Sequence, residues 1–334
     1  MSKNLIEELK IRVRENKKNI VLPESEDERV IRAAAKVIEQ DFANIILVGD
    51  ECKINDDAKK YGVDISKATI INPKTFDKSE EFAVQLAELR AKKGMTLEQA
   101  RATILSEPRF FGAMLVRNGY ASGMVAGSNS PTAAVLRAAI QVIGPKPGLK
   151  TISSSFVMLL NDNTYGQDGI LIFSDCAVIP NPTAGQVADI AISAVEKARK
   201  IAEIKEPRVA LLTYSTKGSA EGDVVTKMRE AKQLLEEKNV DFDFDGELQL
   251  DAAIVPEVAE LKAKDSSVAG RANVLIFPNL SAGNIGYKLV QRLGKATALG
   301  PFVQGLAKPV HDLSRGCSVD DIVGVVAVTA SEGE

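Results

Sequence analysis

The sequence contains a single histidine, His311, and only three cysteines, Cys52, Cys176 and Cys317, in 334 residues. Structural zinc draws on clustered Cys and His, so this chain offers no such site. The cysteines are far apart, odd in number and form no CxxC pair. That excludes a disulfide framework and predicts reduced thiols. Also missing is an apolar run long enough to cross a bilayer. Met1 to Leu9 carries Glu7 and Glu8 and no apolar core run, so it reads as an amphipathic helix rather than a signal peptide. The expectation is a cytoplasmic chain with no membrane contact. A basic excess is absent too: 42 Lys and Arg against 45 Asp and Glu leave a formal net charge of -3, which argues against a general nucleic-acid binder. Internal repeats and low-complexity segments are likewise absent. What remains is a globular composition, 45% hydrophobic and 26% charged, at a length suited to two domains.

Apolar runs alternate with helical periodicity through the first part of the chain. Asn19–Pro23 is a short buried-type strand, and Ser25–Glu28 reads as a capping box opening the helix Arg29–Gln40. Asn44–Gly49 and Ala68–Ile71 are further strands, separated by a helix from about Glu51 to Tyr61. Strands alternating with helices predict a doubly wound α/β sheet. Lys78 to Asn118 is mostly helical, with a break near Gly94. Arg90 and Arg109 read there as solvated helix charges.

The strand Ser122–Gly127 leads through Ser128-Asn129-Ser130-Pro131-Thr132 into a helix over Ala133–Val142. Small residues keep this loop open, and hydroxyls at Ser128, Ser130 and Thr132 lie beside free helix N–H groups. The pattern fits a phosphate cradle or simple N-capping by Ser130, and it is not a Walker loop. Arg137 follows one turn later. Gly144-Pro145-Lys146-Pro147-Gly148 is a strong breaker and marks a domain crossing. The predicted layout is one domain from 1–145 and 297–334, carrying both termini, with a second, 146–296, inserted.

In the inserted part, Thr151–Leu160 and Ile170–Asp175 read as an antiparallel hairpin, because an Asn/Asp/Gly-rich connection joins them. Asp175–Thr183 is a rigid loop before the helix Ala184–Glu203. The acid-rich run Phe242–Asp251 lacks EF-hand spacing and reads as a strand end followed by helix caps. Asn273–Asn279 is a strand. It turns through Leu280–Gly286 into a helix over Tyr287–Leu293, with Gly283-x-x-Gly286 short of a full dinucleotide fingerprint. Tyr287, Lys288 and Arg292 suit an adenine face and a phosphate. Gly294 to Gly305 reads as a Gly-spaced return passage.

The richest chemistry lies near the C-terminus, in Lys308 to Asp321. Ser318 is a good N-cap, with Asp321 at the third helical position of a capping box. Helix-start N–H groups attract anions, and Arg315 beside them reads as an oxyanion or phosphate clamp. The same residues also fit an ordinary capped turn.

Four motifs resemble phosphate acetyltransferase (phosphotransacetylase): Pro278–Arg292, Gly127–Thr132, Asp175–Thr183 and Leu313–Gly316. The resemblance runs from end to end, in order, at the length of the short bacterial form. It implies the reaction acetyl-CoA + phosphate = acetyl phosphate + CoA. It also implies two doubly wound α/β domains of the isocitrate dehydrogenase-like type with an interdomain cleft, a homodimer, and functional coupling to acetate kinase. No permanently bound cofactor or metal is implied; CoA, acetyl phosphate and phosphate are the substrates. Carried onto this chain, Ser314, Arg315 and Asp321 match the catalytic trio. Arg137 and Arg90 match arginines tied to substrate, and Tyr287 and Lys288 lie in the segment implicated in CoA contact.

The residue chemistry suits those roles. Asp321 takes the CoA thiol proton, because the thiolate is the nucleophile; closure of a cleft around it raises its affinity for that proton. Arg315 grips and neutralises the phosphate, and the Ser314 hydroxyl meets the carbonyl oxygen as charge develops. Ser128 to Thr132 completes the phosphate site. The implied route is direct transfer in a ternary complex. Cys317 sits where a ping-pong nucleophile would be, but reads better as an apolar structural residue, and His311, the only imidazole, reads as a loop hydrogen-bonder. Asp320 and Asp321 are helix neighbours and cannot face one site equally. Three other readings compete: a phosphate butyryltransferase, a metal-dependent decarboxylating dehydrogenase on a similar fold, and a CoA- or acetyl-phosphate-sensing module.

Overall fold

The computed structural model describes residues 5–333; the Met1–Asn4 part of the expected first helix lies outside them. The described chain divides into two compact units, one from residues up to 146 together with 306 onward, the other spanning 147–305. The return crossing therefore falls after Gly305, later than the boundary expected at 297.

The terminal unit is built on a five-stranded sheet. Its strands are β1 (Asn19–Leu22), β2 (Asn44–Val48), β3 (Thr69–Ile71), β4 (Gly123–Ala126) and β11 (Val310–Asp312). All pairings are parallel and the order is β11-β4-β1-β2-β3. Apart from the edge strand β3, these apolar strands are almost wholly buried, as helix cover on both faces requires. From β1 the chain winds one way to β2 and β3, then crosses to β4 on the other side of β1. The topological switch point thus lies between β1 and β4, where open α/β sheets bind ligands beyond the strands' carboxyl ends.

One side of this sheet carries Phe82, Phe111, Met114 and Leu86, with Phe76 and Tyr120 in edge-on and tilted ring contacts. Each fully buried Phe or Leu contributes about 1.5–3 kcal/mol. The helix Val319–Glu332 covers part of the unit, with Ile322, Val323 and Val326 buried. His311 is not a loop residue: it lies in β11, fully buried, with Nε2 2.7 Å from Glu332 Oε2.

Gly127 follows β4 at φ +111°, where a Cβ would lie 2.5 Å from Asp312 Oδ1 and 2.8 Å from the backbone N and O of Leu313. Only glycine fits that approach. Gly127→Ala is expected to lose at least ~2 kcal/mol of stability through backbone strain and overlap, read as a lower urea midpoint. An unchanged midpoint would mean that the loop relaxes freely.

The inserted unit has a mixed six-stranded sheet. Its strands are β5 (Ser153–Leu159), β6 (Ile170–Ser174), β7 (Arg208–Leu212), β8 (Asp243–Leu248), β9 (Val274–Ile276) and β10 (Thr297–Gln304). The order is β10-β5-β6-β9-β7-β8. β5 and β6 form the expected antiparallel hairpin, and β9, β7 and β8 continue in parallel. The return passage over 294–305 is largely β10, an antiparallel edge strand on β5.

Asp175 organises the loop after β6. Its carboxylate accepts from the N–H groups of Ala177, Val178 and Ile179 and from Ser154. The helix after β9 runs over Leu280–Arg292, not from Tyr287, because the Asn279 side chain caps it by accepting from Ala282 N–H at 3.0 Å. The GxxG pair is accordingly helical: a Cβ on Gly283 would strike the Asp175 carbonyl, so the spacing serves helix packing rather than a dinucleotide.

Candidate active site

β1, β4 and β11 end side by side at the switch point, and the segments leaving them bring the chemistry of the terminal unit together. β1 delivers Pro23, Glu24 and the cap of helix Glu28–Gln40. That cap is Asp27, whose side chain accepts from Arg29 N–H; Ser25, expected to cap, instead donates to the Val48 carbonyl at 2.6 Å.

Glu24 is 2% exposed, and its carboxylate is the centre of the Gly127–Ser130 loop. Oε2 accepts from Gly127 N–H at 2.7 Å, Ser128 N–H at 2.8 Å and Ser128 Oγ at 3.0 Å. Oε1 accepts from Ser130 Oγ. The donors expected to cradle phosphate are therefore satisfied by a carboxylate of the chain itself. Ser130 does not cap the next helix, Thr132–Ala138; Pro131 occupies that position without a side-chain cap. Arg109, taken from sequence as a solvated charge, donates to Ser130 Oγ and pairs with Glu107. Thr132 departs from its neighbours: its hydroxyl donates to Asp312 Oδ2 at 2.5 Å.

Arg29 ties the loops to one another. Its Nη2 donates to Asp27 Oδ2 at 2.6 Å and the Ser128 carbonyl at 2.7 Å; its Nη1 donates to the carbonyls of Arg315 and Cys317, each at 2.9 Å. Burial works against the Asp27 charge, but the hydrogen bonds from Arg29 outweigh it and hold the carboxyl below its ordinary range. A planar guanidinium with rigid donors suits this multiple anchoring.

The anchored segment presents Ser314 and Arg315 outward, both exposed. Ser314 Oγ accepts from Gly316 N–H at 3.2 Å, and the Ser314 carbonyl accepts from Cys317 N–H at 2.9 Å, closing the turn. The capping box forms as expected: Asp321 Oδ2 accepts from Ser318 N–H at 2.8 Å and Ser318 Oγ at 2.9 Å, while Ser318 Oγ accepts from Asp321 N–H at 3.1 Å. Asp320 leans the other way, onto Lys36 at 2.5 Å. The two neighbours are thus separated: Asp321 turns back to the Ser314–Ser318 turn and Asp320 to the helix Glu28–Gln40.

Cys317 is buried, and burial raises its thiol above the ordinary range despite the opposing pull of Arg29. That lowers its thiolate fraction and its reactivity. Burial likewise raises Asp312, to about 6, with the nearby Glu24 charge adding to the effect and the Thr132 bond opposing it.

Arg137, on the helix Thr132–Ala138, is exposed, and Arg90 ends the helix Ser79–Arg90 half-buried. Neither is joined by a side-chain hydrogen bond or ion pair to the switch-point residues among the described residues. Tyr287, Lys288 and Arg292 belong to the inserted unit, on the helix Leu280–Arg292. Tyr287 stacks on Phe156 at 4.1 Å, and Lys288 Nζ donates to Asn284 Oδ1 at 2.8 Å. Glu24, Arg29, Arg109 and Asp312 were not legible as site residues. Position offers the missed signal: Glu24 follows the end of β1 and Asp312 ends β11, the neighbour of β4, so both stand at the carboxyl edge of the sheet beside the switch point, where ligands bind in open α/β sheets.

A family model for phosphate acetyl/butaryl transferase matches residues 4–330. The chain belongs to that family. Its relatives include the phosphate acetyltransferase of Clostridium acetobutylicum, 49% identical over 331 residues and 99% of both chains. That of Thermoanaerobacterium thermosaccharolyticum is 48% identical over 99% of this chain and 100% of the relative. A solved phosphotransacetylase from Streptococcus pyogenes superposes with a TM-score of 0.93 at 41% identity, covering 99% of this chain and 98% of that one. Among the described residues no helix is long and apolar enough to cross a membrane, and no group of three or more His, Cys, Asp or Glu could hold a metal ion.

Proposed function

We propose that the chain transfers an acetyl group reversibly between CoA and inorganic phosphate, through attack of the CoA thiolate on acetyl phosphate in a ternary complex. Asp321 takes the thiol proton. The sulfur–carbon bond forms as the carbon–oxygen bond to phosphate breaks, and phosphate leaves with the electron pair. Arg315 neutralises that leaving group, and Ser314 donates to the carbonyl oxygen as it gains charge. The observation that carries this reading is the turn at Ser314–Cys317: its backbone is pinned by Arg29 while its serine and arginine stay exposed beside Asp321.

The Glu24 network revises the phosphate cradle. Ser128 and Ser130 act by fixing the loop, Thr132 and Arg137 remain the phosphate-side groups of this unit, and Arg90 is its CoA-side group. Tyr287, Lys288 and Arg292 contact CoA. The working enzyme is a cytoplasmic homodimer that hands acetyl phosphate to acetate kinase.

Disappearance of CoA thiol on adding acetyl phosphate tests this, with acyl phosphates of increasing length in parallel. Turnover fastest with acetyl phosphate is expected. A preference for the butyryl ester would make the chain a butyryltransferase, and absence of turnover would overturn the reading.

A further inference from the structure

Among the described residues, Asp312 is the one buried acidic group at the switch point with an unpartnered carboxylate oxygen. It ends β11, immediately before Leu313, Ser314 and Arg315, and is 8% exposed. Oδ2 accepts from the Thr132 hydroxyl at 2.5 Å. Oδ1 is buried and has no hydrogen-bond partner among the described residues. A Cβ on Gly127 would come within 2.5 Å of it, so the absent side chain at Gly127 leaves it room.

A buried carboxylate oxygen without a donor is costly. A carboxylic acid in the same place is not: it has a proton to give. The charged groups on the surrounding elements favour that form. Glu24, beyond β1, is ionic company of like sign and acts on Asp312 directly. Arg29 is engaged by Asp27 and three carbonyls, and Arg109 by Glu107 and Ser130. On the neighbouring β11 residue, His311 is committed to Glu332; alternate strand residues face opposite ways. Arg137 is exposed on the helix that starts at Thr132, and Arg315 is exposed just after Asp312. None of these cations bonds to Asp312 among the described residues.

We propose that Asp312 is the proton-holding member of the anion site: its carboxyl, aligned by Thr132, carries a proton when a phosphate-like dianion binds beside Arg315, and donates it as a hydrogen bond to an anionic oxygen. Anion affinity and protonation of this one side chain are then coupled. The direction follows from linkage. Binding that requires the acid form is full below the carboxyl's titration and weakens about tenfold per pH unit above it. The titration near pH 6 places that change between mildly acid and neutral pH.

This inference rests on the acyl-phosphate reading for its choice of ligand, but its test needs no turnover. Sulfate is a dianion throughout the range, so its own titration contributes nothing. Calorimetric titration with sulfate at pH 5.5, 6.5 and 7.5 is expected to show wild-type affinity falling at each step. Arg315→Ala is expected to weaken binding at all three. Asp312→Asn, which keeps a donor and cannot ionise, is expected to bind with a pH-independent Kd close to the wild-type value at pH 5.5. The Asn variant should also gain thermal stability relative to wild type as pH rises from 4 through 6, because a buried acid with a raised pKa loses its stabilising share over that window. A wild-type Kd that is flat with pH, an Asn variant that retains the wild-type slope, or an Asn variant that no longer binds sulfate would each overturn the proposal. Failure of acetyl transfer with these sulfate results intact would sink the functional reading alone.

Discussion

Asp321→Ala is expected to lower kcat for CoA consumption by about 10²–10⁴-fold, the usual contribution of a positioned general base, with little change in the KM for acetyl phosphate. The prediction is specific to one of two adjacent acids. Asp321 is turned toward the Ser314–Ser318 segment through its bonds to Ser318. Asp320 meets Lys36 at the surface, and Asp320→Ala is expected to stay within about twofold of wild type, because exposed pairs of this kind contribute little. Equal losses in the two variants would mean that the helix start matters as a cap and not as a base. Asp321→Asn separates the roles further. It retains a cap acceptor, so it should preserve the thermal midpoint while losing kcat.

Glu24→Ala carries the second large effect, on stability and activity together. The change leaves two backbone N–H groups and two serine hydroxyls without their acceptor in a buried place. Removing one side of such a network costs about 3–5 kcal/mol. The urea midpoint is therefore expected to fall sharply with an unchanged m-value. Glu24→Gln should recover part of the loss, because the amide oxygen still accepts from Gly127 and Ser128. It does not recover all of it, because the charge-assisted part of the bonds is gone. Activity should follow the loop's integrity: the Arg29 bond to the Ser128 carbonyl connects this loop to the Arg315 turn. A Glu24→Ala protein with the wild-type midpoint would show that the loop holds itself.

The α/β class was legible because apolar strands and amphipathic helices alternate in Asn19 to Ile71 with unambiguous periods. The β5–β6 hairpin was legible from its short polar connection. The capping box at Ser318 and Asp321 was legible because it depends on two residues at fixed spacing. The boundaries that shifted did so for tertiary reasons. Gly294–Gly305 has the glycine spacing of a loop, yet the backbone of Thr297–Gln304 within it pairs with β5. The helix expected from Tyr287 begins at Leu280, because Asn279 supplies a cap and Gly283 must approach Asp175.

In the site, local chemistry offered the hydroxyls at Ser128 and Ser130 to a phosphate or, at Ser130, to a helix cap, and in the structure they meet an anion of the chain itself. It could not reveal that the anion is Glu24, more than 100 positions earlier in the sequence. The same holds for Arg29, whose partners at Ser128 and Arg315 come from two distant segments. Such couplings arise only when β1, β4 and β11 are set side by side.

Direct transfer from acetyl phosphate to CoA is the central claim, and isotope exchange tests it most directly. Labelled phosphate is incubated with acetyl phosphate and the wild-type protein, without CoA, and the acetyl phosphate is then examined for label. A ternary-complex route with Asp321 acting on the CoA thiol predicts no exchange until CoA is added. Exchange in the absence of CoA would require an acetyl group held on the protein, and would contradict the account.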